Sequence, residues 1–396
     1  MSEKRKINLL EHFGHSINCF MRDGKLYPEY VCMSRPVNYS SGLKFAAYSK
    51  ASDCYFICDN KTIGVSSDCI SFTHYTGYAG APPFLIEDYF EGIARTIIIV
   101  GRKAAVYVGG GFIDKELEPW LLCGAMHCGR LFGANGLDLW WSGPGGFDDW
   151  NEGIGGRGRL RLDPERGEVL DMVEYGGKLI AVRKYGLTIL NVYGSPEEFA
   201  VKITDTDCDV IYGGTARVVG NKLYFFSESG LKTFDGSKIS PLKIRHPVSK
   251  PVCSAEYGGR YFLGCKDDYL NKDVVLCVDS TDGESLVLTE RATLMFIKDA
   301  LYFFNESRLN MFYGGGYFVF ESAPIDFGTS RPKTITKIEF AGSPVIYVDN
   351  GKCERMFEDI KYSIRPHMRG RSFTIKVEST KTFTGATVTA EVTDAV

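Results

Sequence analysis

Short apolar runs separated by glycine-bearing polar turns return along this chain about every forty residues. The clearest copy couples Gly176-Gly177-Lys178-Leu179-Ile180-Ala181-Val182 to Gly186-Leu187-Thr188-Ile189-Leu190. Asn221-Lys222-Leu223-Tyr224-Phe225-Phe226 with Gly230-Leu231-Lys232-Thr233-Phe234 repeats it, as does Ala300-Leu301-Tyr302-Phe303-Phe304 with Arg308-Leu309-Asn310-Met311-Phe312. Weaker copies fall at 53–67, 94–110, 128–143 and 258–279. Such runs have the length of strands, and the glycines between them supply the positive φ of tight turns. One supersecondary unit copied in series marks a repeat architecture, and serial strand hairpins are what a propeller blade contributes. The pattern predicts an all-β chain, a β-propeller of about seven blades over 39–322, with six or eight as neighbouring possibilities. Two stretches with some helical character, 83–94 and 115–121, are short and sustain no apolar stripe over several turns.

The flanks differ from the repeats. Residues 1–38 carry Pro28 and Pro36 at strand edges and read as an extended N-terminal arm. Beyond Glu321 the period breaks at Ser322-Ala323-Pro324-Ile325-Asp326-Phe327-Gly328, and alternating runs at 334–340, 344–348 and 372–378 predict a small C-terminal β-rich domain over 323–396. Both ends are expected to reach neighbouring subunits while the blades stand alone. On that reading a chain lacking 1–36 folds as a monomer that no longer assembles.

With 44% hydrophobic and 24% charged residues, the 396-residue chain has material for a core throughout and none of the composition of long disorder. A net charge of −3 gives no bulk basic signature for nucleic-acid binding. No apolar run has the length of a signal peptide or a membrane span, which points to synthesis in the cytoplasm. The twelve cysteines show no C-x-x-C pair, so reduced buried thiols are expected, with Cys58, Cys265 and Cys277 as small core residues.

Candidate chemistry concentrates at 140–152, where Trp140, Trp141 and Trp150 accompany Asp148, Asp149 and Glu152. Aromatic faces beside paired carboxylates fit a sugar-binding or sugar-cleaving site. The competing reading packs the tryptophans between blades after a glycine-proline turn. Two basic clusters, 155–161 with Arg157 and Arg159, and 365–371 with Arg365, Arg369 and Arg371, are interface candidates or solvated turns. The six histidines have no helical metal spacing and no Gly-x-Ser-x-Gly elbow occurs, so neither catalysis, a cofactor nor a metal is expected.

Several segments together resemble the propeller proteins of tailed-phage virions, the tail nozzle and packaged-DNA stabilisation proteins. They are Gly14-His15-Ser16-Ile17-Asn18 with Leu26-Tyr27-Pro28 and Met33-Ser34-Arg35-Pro36; Cys128-Gly129-Arg130-Leu131-Phe132 with Leu139-Trp140-Trp141-Ser142 and Phe147-Asp148-Asp149-Trp150; the Leu223–Leu231 region; and Arg369-Gly370-Arg371-Ser372-Phe373. The resemblance implies a structural virion protein, made in the host cytoplasm, that forms a homo-oligomeric ring around the DNA exit channel. Its partners would be copies of itself, portal, adaptor or tail proteins, and duplex DNA passing without sequence specificity. Asn18, Tyr27, Pro28 and Arg35 join the arginines above as interface candidates. The alternatives are a glycan-binding or glycan-cleaving propeller at the tail tip and a cellular kelch-like interaction scaffold, the latter kept open by double glycines at 109, 176, 213 and 258.

Overall fold

A computed structural model of the chain describes residues 3–37, 42–90, 92–144, 146–153, 155–192, 203–306 and 308–393. Seven antiparallel sheets succeed one another. Blade 1 runs from Phe45–Ser49 to Thr73–Thr76, blade 2 from Pro83–Phe90 to Gly111–Leu121, blade 3 from Cys123–His127 to Gly158–Arg161 and blade 4 from Val169–Tyr175 to Ile203–Asp207. Blade 5 runs from Arg217–Val219 to Ile239–Pro241 and blade 6 from Val248–Tyr257 to Ser285–Leu288. Blade 7 combines Leu294–Ile297, Leu301–Asn305 and Arg308–Gly314 with Tyr30–Pro36. The first strands of successive blades lie against each other, and the ring closes where Leu294–Ile297 meets Phe45–Ser49.

Alternation along each strand explains why the second strands read as unbroken apolar runs. Successive side chains leave opposite faces of a blade, and in a ring both faces are covered. Leu179 and Ala181 enter the core between blades 3 and 4, whereas Ile180 and Val182 enter the core between blades 4 and 5. Tyr261 and Leu263 face blade 5, and Phe262 faces blade 7. Each fully buried phenylalanine of this kind contributes about 1.5–3 kcal/mol of hydrophobic stabilisation. The turns follow the expected chemistry: Gly176-Gly177 and Gly258-Gly259 have positive φ and link Tyr175 to Lys178 and Tyr257 to Arg260 across two-residue hairpins.

Neither stretch with helical character is a helix. Residues 83–90 pair with 93–100, and 111–121 is a strand in which Leu117 and Leu121 are buried while Glu118 and Trp120 are exposed. A period of two therefore governs both. Ile93–Val108 is one continuous strand that bends at Gly101, φ 65°, and it pairs with 83–90 on one side of the bend and with 111–121 on the other.

The C-terminal region is a two-sheet β domain. One sheet orders Glu3–Asn8, Ala386–Val392, Lys333–Phe340 and Ser363–Ile364, with Met368–Gly370 also on Lys333–Phe340. The other orders Phe13–Ile17, Phe318–Ser322, Thr374–Ser379, Val345–Asp349 and Glu354–Phe357. Their shared core includes Leu9, Phe320, Ile338, Ile375 and Val388. Phe318–Ser322 thus belongs to this domain, not to the propeller that was expected to reach residue 322. The boundary expected at 38/39 falls within 38–41, outside the described residues.

The N-terminal segment is extended, as its prolines imply, and its strands are paired within the chain. Glu3–Asn8 and Phe13–Ile17 supply an edge strand to each sheet of the C-terminal domain, and Tyr30–Pro36 completes blade 7. A Cβ on Gly14 would lie 2.6 Å from the Ala323 nitrogen, so only glycine lets this strand approach 321–323 so closely. This pairing runs against the expectation that 1–36 can be removed without loss of folding, because its strands complete sheets of the chain itself.

Candidate functional site

Tryptophans and carboxylates at 140–152 build a folded loop on blade 3. Trp141 is buried in the core between blades 3 and 4, and Trp140 and Trp150 pack against the core between blades 2 and 3. Arg130 is the loop's anchor: its guanidinium donates to the carbonyls of Ser142 at 2.8 Å, Gly155 at 2.7 Å and Gly156 at 3.2 Å. Ser142 Oγ accepts from the Leu131 amide, and the Gly143 amide donates to the Asp149 carbonyl. Asp149 accepts from the Asn151 side chain at 2.8 Å, while Asp148 faces Lys115 of blade 2 at 3.6 Å. The two carboxylates therefore serve separate partners, and the tryptophans behave as interblade packing. Gly145, within this motif, lies outside the described residues.

Several arginines named from sequence are engaged locally. Arg157 bonds Glu118 and Glu152; Arg159 bonds Asp138 at 2.9 Å and lies over the Trp140 ring. Arg35, Arg365, Arg369 and Arg371 are exposed, whereas the backbone at the last two is held: Asn350 donates to the Arg369 carbonyl and Lys333 to that of Arg371. Carboxylates on first strands bridge blades. Glu87 accepts from Ser49 at 2.6 Å, and Asp171 lies 3.7 Å from Arg217, with burial pushing its carboxyl upward against the arginine's opposing pull.

The junction between propeller and C-terminal domain holds the densest polar network. Asn18, with φ 56° and 7% exposure, donates to the carbonyls of Tyr30 at 2.6 Å and Tyr317 at 2.8 Å and accepts from the Tyr30 amide at 2.9 Å. Its own amide donates to Val287 of blade 6. Asn18 therefore joins parts of one chain, which corrects its assignment as a contact between subunits. Tyr27 and Pro28, half-buried, lie on a hairpin that pairs Cys19–Arg22 with Lys25–Pro28 and is bridged to the C-terminal domain through Leu26 and Phe383. Arg22 bonds Asp279 and Asp282, and Arg260 bonds Asp279 and Glu29. Burial alone would raise the Asp279 carboxyl, but the Thr281 hydroxyl and amide, then Arg260 and Arg22, hold it below its ordinary value.

One cluster at this junction has no sequence signal. His15 Nε2 lies 3.0 Å from Asp267 Oδ2, the His15 and His246 rings meet edge to face at 5.1 Å, and the ligand atoms of all three lie within 4.8 Å of one another. All three residues are buried. His246 is pushed down to about 4, by burial first and then by His15, and neither of its ring nitrogens makes a hydrogen bond of normal geometry among the described residues, with the Ser285 backbone a weaker opposing influence. His15 and Asp267 stand 252 positions apart, so spacing rules could not have joined them.

No protein-family model and no curated sequence matches this chain. Solved structures match its fold. The N-terminal domain of BBS1, solved in complex with ARL6, aligns at TM-score 0.52 and 9% identity over 74% of this chain and 97% of that one. PorZ, a bacterial surface component of the type-IX secretion system of Porphyromonas gingivalis, aligns at 0.49 and 10% identity over 85% of this chain and 57% of its own. The chain spans little more than half of PorZ. The Neurospora crassa Pan2 WD40 domain aligns at 0.47 and 9% identity, over 74% and 97%. The chain is a β-propeller protein with an additional β domain assembled from both ends of the sequence.

Proposed function

We propose that this chain is a structural component of a tailed-phage virion, assembling with copies of itself into a ring about the DNA exit path. The observation that carries the reading is the loop on blade 3. The residues that resemble the phage proteins, Arg130, Leu131, Trp141, Ser142 and Asp149, form one connected framework in space. A motif that shapes a loop through a buried arginine is the kind of signal a structural family retains.

Blade 2 supplies a surface for self-contact. Its bent strand brings Ile93 and Val108 to one cleft beside Ala51 and Ser52, and Tyr89, Ile93, Val108 and Ile113 are 75%, 66%, 50% and 56% exposed. Grouped exposed apolar side chains on a stable scaffold mark association sites, and a head-to-tail contact of this kind closes into a cyclic assembly. The test is localisation: antibody against the full chain should label the tail or neck of purified particles, and peptides from all seven blades should be recovered from them. Particles that carry none of the chain would exclude the virion role. A sugar-cleaving activity in the purified protein would favour the glycan-cleaving reading over a purely structural ring.

A further inference from the structure

We propose that His15, His246 and Asp267 form a structural binding site for a divalent transition-metal ion, with zinc as the occupant, that fastens the C-terminal domain to blade 6. The inference is independent of the virion reading. His15 lies on a strand of the C-terminal domain, while His246 and Asp267 precede and end strands of blade 6. An ion held by all three would cross-link the two bodies.

Donor set and geometry both fit. Two imidazoles and a carboxylate are borderline donors of the kind zinc takes, and ligand atoms around a tetrahedral ion with bonds of about 2.0–2.1 Å stand roughly 3.3 Å apart. His15 and Asp267 are hydrogen-bonded at 3.0 Å, so an ion would replace that bond and spread the two donors by a few tenths of an ångström, and the third donor lies within 4.8 Å, inside the reach of a small ring shift. Surrounding groups fix the donors. The Leu270 amide donates to Asp267 Oδ1 at 2.8 Å and so leaves Oδ2 turned toward His15. Tyr269 stacks on His15 at 4.8 Å, and Phe13 meets the edge of His246 at 6.1 Å. Such outer groups orient ligands in metal sites.

His246 is the independent sign of a ligand. Its side chain is fully buried, yet neither ring nitrogen makes a hydrogen bond of normal geometry among the described residues, the Ser285 backbone being a minor polar neighbour. A buried polar group without a partner is destabilising, and a packed core keeps one where something else satisfies it. The incoming charge has acidic neighbours to offset it. Asp268 is adjacent to the site, and Glu321 lies opposite His15 in the strand register, where it accepts from the Tyr269 hydroxyl.

The full chain, stripped with chelator and titrated with zinc sulfate, should bind one zinc per chain and gain about 5 °C or more in Tm, while magnesium has no effect. His246→Phe and Asp267→Asn should abolish both the stoichiometric binding and the shift. Cobalt substituted for zinc should give the visible bands of a tetrahedral nitrogen and oxygen site without thiolate charge transfer, a reading on the unmodified chain that holds even if a variant fails to fold. Absence of stoichiometric binding, retention of zinc by His246→Phe, or a thiolate band from the cysteines would overturn the proposal.

Discussion

Asn18 is the point at which the C-terminal domain, blade 6 and the strand that completes blade 7 meet, so Asn18→Ala is the most informative single substitution. The variant removes two donated bonds and one accepted bond, at 2.6, 2.8 and 2.9 Å, and leaves the Tyr30 amide and two carbonyls in a half-buried setting. At about 1 kcal/mol net per bond, rising where a buried partner is left unsatisfied, the loss is roughly 3–4 kcal/mol. Alanine at φ 56° adds about 1 kcal/mol of backbone strain that asparagine tolerates better. Asn18→Gly should therefore lose the bonds but not the backbone term, and come out about 1 kcal/mol milder. The assay is native-state hydrogen exchange. Amides of Tyr30–Pro36 should exchange more than about a hundredfold faster in Asn18→Ala, while amides in blade 4 are unchanged. Protection within a factor of about two of the parent would refute the reasoning.

Removal of 1–36 should yield insoluble or unfolded chain, because it strips the outer strand from blade 7 and an edge strand from each sheet of the C-terminal domain; a soluble, cooperatively melting product would contradict this. Arg130 spreads its three bonds over two guanidinium nitrogens, and Arg130→Lys puts a single nitrogen on a shorter stem in their place, so the 155–157 segment should become a site of limited proteolysis while circular dichroism stays that of the parent. Asp279 titrates below 3.8 in the folded chain, so its contribution is complete above that pH and is lost as pH falls through the folded value. Urea midpoints of Asp279→Asn should accordingly lie below those of the parent at pH 7 and converge with them in acid; a constant difference down to pH 2 would show that the carboxylate's charge is not what matters.

How legible these features were depended on the range of the interactions that make them. Leu179–Val182, Leu223–Phe226 and Tyr261–Gly264 announce themselves because a blade strand covered on both faces must be apolar at every position, a local property. The change to alternating polar and apolar residues was legible for the same reason, since it reflects a sheet with one face in solvent, but it was placed one strand too late because Phe318–Ser322 reads like a blade strand and belongs to the C-terminal domain. The destination of the N-terminal strands was not. Tyr30–Pro36 finds its partner at Arg308–Gly314, and its own sequence states only that it is extended. Residues 115–121 looked helical because charges at 114–116 and Glu118 mask a period of two carried by the buried Leu117, Pro119 and Leu121. At the candidate sites, Trp140, Trp141 and Trp150 offered two readings that differ only in which way the rings face, and packing decided between them. His15, His246 and Asp267 are individually unremarkable in sequence, and a shared site exists only once the C-terminal domain is docked on blade 6.

Self-assembly is the claim on which the functional reading stands, and native mass measurement combined with particle imaging of the purified full chain tests it most directly. The account predicts closed rings of one symmetry that dissociate when Ile93 and Val108 are both replaced by aspartate. A chain that stays monomeric at high concentration, with both residues intact and the propeller folded, would contradict it.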